Sequence, residues 1–155
     1  MHVRKYKQYV GFLKDLPMFK DFHSNELLIL AQHLKERKFD EGQVVFRKND
    51  SGNSCYLISS GSVIVVKEQD ENEMEILYNM GVGEMFGQIS LLDGKARMAT
   101  CVAHEPLVLL ELEKRDFDCM FEMSESFAFR FQKYLTGVMI SHLNIGYQKL
   151  ATLIE

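Results

Sequence analysis

Apolar positions change their period twice along the chain, and the changes divide it into three zones. Between Val10 and Phe39 they recur at helical spacing: Leu27, Leu28, Leu30, Ala31 and Leu34 follow Ser24, a good N-cap, with Glu26 in the first turn. A short amphipathic helix is predicted there. Tyr6, Tyr9, Val10 and Leu13 predict another upstream, ended by Leu16-Pro17, with Met18-Phe19-Lys20-Asp21-Phe22 as the connection. From Gln43 the period falls to two. Gln43–Phe46, Cys55–Ser59, Ser62–Lys67, Glu75–Met80, Thr100–Ala103 and Leu107–Leu112 read as short strands separated by turn-rich pieces such as Asn49-Asp50-Ser51-Gly52-Asn53. The acidic run Glu68–Glu75 reads as a solvated hairpin tip.

One stretch breaks this rhythm. Gly81-Val82-Gly83-Glu84-Met85-Phe86-Gly87 leads into Gln88-Ile89-Ser90-Leu91-Leu92, and Asp93-Gly94 turns the chain. Two strands of a small barrel rarely need so many glycines and a helical turn between them, so a site is expected here. From Lys114 the helical period returns, and Phe127 to Ile154 contains no proline. Phe131, Leu135, Val138, His142 and Ile145 fall at spacings of four, three, four and three, a seam of the coiled-coil kind that Gly137 and Gly146 weaken. A helix of roughly 28 residues spans about 40 Å, more than one small core needs. Its surplus apolar face predicts a partner, most simply a second copy. Met120, Phe121, Met123, Phe127, Phe129 and Phe131 read as core or interface.

The predicted fold is mainly β with flanking helices: an antiparallel β-roll (a double-stranded β-helix or jelly-roll) with N-terminal helices, one short helix after Gly87 and a long C-terminal helix. Residues 1–125 are expected to form the roll with its N-terminal helices, and residues 126–155 the long helix, a dimerisation element.

Composition removes several function classes. With 46% hydrophobic and 26% charged residues in a chain of 155, one core is possible. Two prolines and ten aperiodic glycines exclude disordered and collagen-like chains. Eighteen basic against 22 acidic residues, net −4, lack the basic footprint of a nucleic-acid binder. No run of 18 apolar residues exists, so no membrane span is expected. Met1 to Lys7 is charged without a following apolar stretch, unlike a secretory signal. Cys55, Cys101 and Cys119 are odd in number and far apart, which fits reduced thiols in a cytoplasmic protein. The five histidines His2, His23, His33, His104 and His142 form no HxH or HExxH pair, and no GxSxG or Cys–His signature is present. Neither an enzyme nor a resident metal or cofactor is expected.

The candidate chemistry lies between Phe86 and Thr100. Gly87 lets the backbone approach a ligand where a Cβ would clash. The helical turn after it begins with unsatisfied N–H groups, and Arg97 returns a planar cation suited to phosphate oxygens. The N–H groups near Met98 and Ala99 add further donors. Together these make a cradle for one phosphate. The plainer alternative is a glycine-rich turn closing the roll, with Arg97 paired to a surface carboxylate such as Asp93.

At these residues the chain resembles the cyclic nucleotide-binding domain family, whose members include the bacterial catabolite activator and the regulatory subunits of cAMP-dependent protein kinase. The family's phosphate cassette reads Phe-Gly-Glu-(Leu/Ile)-(Ala/Ser)-Leu, several residues, then Arg-x-Ala-(Thr/Ser)-Val. This chain supplies Phe86, Gly87, Ile89, Ser90, Leu91, Arg97, Ala99 and Thr100. Leu16-Pro17-Met18-Phe19 with Ser24-Asn25-Glu26-Leu27 resembles the family's N-terminal opening. Tyr56-Leu57-Ile58-Ser59-Ser60-Gly61-Ser62-Val63 resembles its central strand-turn-strand, and Leu110 to Phe117 the start of its C-terminal helices. Nearly the whole chain is covered.

The resemblance implies a sensor that binds a cyclic nucleotide, or another small anionic nucleotide, through Gly87, Gln88, Ile89, Ser90, Arg97, Met98 and Ala99. The resemblance makes residues 126–155 a lid as well: family members cap the base from the long helix, and ungapped counting from Arg97 puts Ser141 and His142 at the matching positions. Gln88 is the departure: the family has a glutamate here that accepts the ribose 2′-hydroxyl and balances the arginine. An uncharged acceptor costs about 1 kcal/mol, roughly fivefold in affinity. Met98 replaces a threonine that contacts guanine in cGMP-preferring relatives, so cAMP is favoured. The resemblance further implies a homodimer through the long helix and a separate protein partner that reads its movement. The transcription-factor branch continues into a helix-turn-helix domain about where this sequence stops, so direct nucleic-acid binding is not expected. Two other readings follow from the same residues: a scaffold that has lost its ligand and docks proteins, and a regulator that sequesters full-length relatives by heterodimerising.

Overall fold

In a computed structural model of the chain, which describes residues 2–70 and 73–154, fourteen elements follow one another. Helix α1 (His2–Asp15), a 3-10 turn (Pro17–Phe19) and α2 (Ser24–His33) precede the strands β1 (Lys35–Phe39), β2 (Val44–Phe46), β3 (Ser54–Ser60), β4 (Val63–Asp70), β5 (Glu73–Met80) and β6 (Met85–Phe86). Then come α3 (Gln88–Asp93), β7 (Thr100–Ala103), β8 (Leu107–Glu113), α4 (Lys114–Met123) and α5 (Glu125–Ile154). Two four-stranded antiparallel sheets, ordered β1-β8-β3-β6 and β2-β7-β4-β5, form the roll. The predicted tip of the β4–β5 hairpin, at Glu71 and Asn72, lies outside the described residues.

Strands β3 and β8 explain why the roll needs helices. Side chains alternate across a strand, and here both faces are buried. Cys55, Leu57, Leu110 and Leu112 face a core shared with α1, α2, α4 and α5; Tyr56, Ile58, Leu107 and Leu109 face the interior of the roll. Two cores therefore share one pair of strands.

Strand β1 leaves no strand signature in the sequence. Lys35-Glu36-Arg37-Lys38-Phe39 has no apolar alternation because its three central residues are exposed at a sheet edge, where charge blunts pairing with other chains. Its cations meet carboxylates of β8 and α4 instead: Arg37 pairs with Glu111 at 2.6 Å and Lys35 with Glu113 at 2.8 Å. The short β6 is also absent from the sequence reading. Helix α2 starts one residue earlier than expected, at Ser24; His23 rather than Ser24 occupies the cap position, and its N–H donates to the Glu26 carboxylate at 2.9 Å.

Glu26 also ties α2 to the base of α5. Arg130 Nη1 reaches both of its oxygens at 2.6 Å and the Ser126 hydroxyl donates at 3.1 Å. Burial works against ionisation of this carboxyl, but donation from His23, Arg130 and Ser126 prevails and holds its pKa below the usual carboxylate value. Beyond this anchor Phe127, Phe131 and Leu135 are buried.

The seam predicted for a partner is corrected by these positions. Phe131 and Leu135 pack into the chain's own core, and His142 and Ile145 line its cavity. The outward surface of α5 is the opposite stripe, with Phe129, Ile140, Leu143, Tyr147, Leu150 and Ile154 all exposed. Of the residues read as core or interface, Met120, Phe127 and Phe131 are fully buried, while Met123 and Phe129 are exposed.

Candidate ligand-binding site

Between the second sheet, α3 and the distal half of α5 lies a cavity of about 340 Å³. That is within the range of roughly 300–1,000 Å³ of small-molecule sites. Gly87 delivers the chain from β6 into α3 in the left-handed region, φ 78°, and a Cβ there would stand 2.8 Å from Arg97 Nη1. Gly94 ends α3, also left-handed, so a six-residue helix is bracketed by two glycines.

Arg97 is the centre of the site. Only 4% of it is exposed, and it does not pair with Asp93, whose carboxylate accepts the Lys95 N–H instead. Nη1 donates to the Ser54 carbonyl at 2.7 Å and the Gly87 carbonyl at 3.1 Å; Nη2 donates to the Ser54 hydroxyl at 3.1 Å. The guanidinium lies 4.3 Å from the Phe46 ring centre and 5.6 Å from that of Tyr56, within a stack that Phe86 completes. Its backbone is pinned by two 2.8 Å bonds, Arg97 N–H to the Asp50 carbonyl and Asn49 N–H to the Arg97 carbonyl. Among the described residues, Arg97 Nε is the one buried side-chain nitrogen or oxygen without a hydrogen-bond partner. An unmatched charged donor is costly unless an acceptor arrives from outside the protein.

Gly87, Gln88, Ile89, Ser90, Arg97, Met98, Ala99 and His142 all line the cavity, so all but one of the residues named from the sequence converge. Gln88 and Ser90 are buried; Met98 is 69% exposed and stands at the rim. Ser141 is the exception: it is exposed and does not line the cavity, because its neighbour His142 takes the inward position on the helix.

The structure adds residues that the motif could not reveal. Ser54 holds Arg97, and Gly52 makes room: a Cβ there would lie 2.6 Å from the Ser90 side chain and 2.8 Å from Arg97 Nε. Gly52 sits in a turn-rich piece that the sequence reading marks only as a loop. From α5, Ile145, Gly146 and Lys149 join the wall; Lys149 Nζ donates to the Leu77 carbonyl at 3.0 Å, and His142 meets the Tyr78 ring edge-on at 6.2 Å between centres. Arg97, Lys149 and His142 thus face a lining that holds, among the described residues, no carboxylate. Such a chamber is mostly apolar, cationic at more than one point, and suited to a small organic anion. Cys101 lines the cavity and Cys55 lies behind it in the helix-side core; burial pushes both thiols up to about 12, which makes them packing groups. No helix among the described residues is long and apolar enough to cross a membrane.

These features are those of a ligand-binding β-roll, and comparison with known proteins gives the class its name. Residues 36–124, more than half of the chain, match the cyclic nucleotide-binding domain. The chain is 34% identical over 114 residues to a cAMP-dependent protein kinase regulatory subunit of Mucor circinelloides f. lusitanicus, covering 74% of this chain and 26% of that protein. It is 31% identical over 105 residues to the cyclic AMP receptor protein of Thermus thermophilus, covering 68% and 49%. A crystal structure of a cyclic nucleotide-binding domain from Methylobacillus flagellatus superposes with a TM-score of 0.82, covering 96% of this chain and 84% of that one; at 19% identity this shows the shared fold. The chain belongs to the cyclic nucleotide-binding domain family. It spans between about a quarter and about half of the length of these curated relatives.

Proposed function

We propose that this domain is a sensor whose cavity takes a cyclic nucleotide, cAMP in the first instance, with the phosphate at Arg97, and that α5 passes occupancy to a partner protein. The observation that carries this reading is Arg97 Nε, buried and, among the described residues, unmatched, in the wall of a cavity that these residues line without a carboxylate. Ser90 and Gly87 border the same end, Gln88 offers an uncharged acceptor for a sugar hydroxyl, and His142 and Lys149 bring α5 against the other side. A ligand bridging roll and helix binds one arrangement of α5 better than another, which is the requirement for a signal.

Titration calorimetry with cAMP, cGMP and 5′-AMP tests this reading. Micromolar binding of cAMP, lost in Arg97→Ala, is the expected result. Absence of heat with all three supports instead a scaffold that docks proteins without nucleotide.

The outward stripe of α5 supports a homodimer. Leu143 and Leu150 stand seven residues apart, with Phe129 two heptads before Leu143 and Thr136 between them, and Ile140, Tyr147 and Ile154 form a second row three or four positions away, the two rows of a coiled-coil seam. Light scattering is expected to give a dimer that Leu143→Glu with Leu150→Glu converts to a monomer; a monomeric parent protein sinks the dimer and leaves the cavity reading intact.

A further inference from the structure

A buried guanidinium needs a counter-charge, and the direct hydrogen-bond acceptors of Arg97 are all uncharged: the Ser54 carbonyl, the Gly87 carbonyl and the Ser54 hydroxyl. The hydroxyl does not end there. Ser54 Oγ donates to the Tyr56 hydroxyl at 3.2 Å, and Tyr56 donates to Glu111 Oε1 at 3.3 Å. Glu111 is 8% exposed, and its other oxygen accepts from Arg37 Nε at 2.6 Å, on the edge strand β1. Every link points the same way: cation to hydroxyl, hydroxyl to hydroxyl, hydroxyl to carboxylate. A chain oriented between a cation and an anion polarises each member and fixes the direction of each lone pair.

We propose that Glu111 is the displaced counter-charge and positioning residue of Arg97, acting through Ser54 and Tyr56 along the inner face of the first sheet, where Tyr56 on β3 and Glu111 on β8 are cross-strand partners. Position 88 supplies no charge, since Gln88 is neutral, and Glu111 supplies it from the far side of β3. The relay commits Nη2 to the protein and keeps the guanidinium plane fixed, leaving Nε as the unmatched donor. The anionic end of the counter-ion lies outside the cavity, where it cannot repel a phosphate at contact distance. This inference rests on the anion-binding reading of the cavity.

Four variants test it: Ser54→Ala, Tyr56→Phe, Glu111→Gln, and Ser54→Ala with Tyr56→Phe. The phenylalanine keeps the ring stacked on Phe86 and Phe46, and the glutamine keeps the shape of Glu111. Expected losses of cAMP affinity are about tenfold for Ser54→Ala, about fivefold for Tyr56→Phe and about threefold for Glu111→Gln. The double variant equals Ser54→Ala alone, because a chain broken at its first link loses nothing more at its second. Binding of adenosine, which carries no phosphate, stays unchanged throughout. Losses that multiply in the double variant, or that fall equally on adenosine, overturn the assignment. So does tighter cAMP binding by Glu111→Gln, the outcome for a carboxylate that merely opposes the anion. A second readout needs no ligand: rotation of the Arg97 guanidinium about its Nε–Cζ bond, followed by NMR in the free protein. It is expected to be slow in the parent and faster in Tyr56→Phe and Glu111→Gln. If the parent binds no nucleotide, the cavity reading fails while this measurement still decides the relay, and unchanged rotation rejects it.

Discussion

Helix α5 has two halves that differ in what holds them. In the first, Phe127, Phe131 and Leu135 are each at most 1% exposed, and Arg130 and Ser126 bind the buried Glu26. In the second, Ile145 is half-buried, Lys149 makes one hydrogen bond to Leu77, and His142 touches Tyr78. One continuous helix is thus part of the hydrophobic core at its start and a lightly attached cavity wall at its end. The Arg97 end of the cavity resembles the first half: Arg97 is held by three side-chain hydrogen bonds, two backbone bonds and two aromatic faces. The difference teaches where ligand-dependent movement can arise. Tightly packed groups open only with the whole fold, whereas weakly held ones open locally.

Mutations can break this comparison. Phe131→Ala removes a fully buried ring and is expected to cost about 3–5 kcal/mol in urea unfolding, against about 1 kcal/mol for Ile145→Ala. Equal costs would mean that the distal half belongs to the core after all. Glu26→Gln comes next, at about 2–3 kcal/mol, because it leaves Arg130 and the His23 N–H with a weaker acceptor. The carboxyl of Glu26 has a lower pKa folded than unfolded, so its contribution is complete above its ordinary titration range and is lost as pH falls through the depressed folded value. Unfolding measured against pH should therefore show a shallower acid limb in Glu26→Gln than in the parent. The smallest effect is expected at Lys149→Met, about twofold to fivefold in cAMP affinity with no change in unfolding free energy beyond about 0.5 kcal/mol. A larger stability loss there would show that one contact to Leu77 anchors the distal half.

How much of this was legible in the residues differs along the same lines. Most strands of the roll announce themselves as short β-rich runs between turn-forming pieces, and Gly87, Arg97 and the residues around them carry a spacing that leads directly to the site. Strand β1 is silent because an edge strand dressed in charge looks like a polar linker. Gly52, Ser54, Tyr56 and Glu111 are silent for another reason: they meet only after β3, α3 and β8 come together, and no local spacing encodes that. Helix α5 is the instructive error. It carries two apolar stripes on opposite sides, one through Phe131, Leu135, His142 and Ile145, the other through Ile140, Leu143, Tyr147 and Leu150. Periodicity tells which residues share a side, but not what covers that side. Ser141 failed in the same way, one residue and about 100° from the position that faces the ligand cavity.

The 30 residues of α5 also have a mechanical meaning. Leu135 is the last fully buried residue, and the 19 residues from there to Ile154 measure about 28 Å at 1.5 Å per residue. With a fulcrum at Leu135, a tilt of about 10° sweeps the tip through about 5 Å, close to one helical turn. His142, only seven residues along, shifts by less than 2 Å for the same tilt, by roughly the same arithmetic. A helix fixed at Leu135 thereby gears a small shift at His142 into a displacement at its tip more than twice as large.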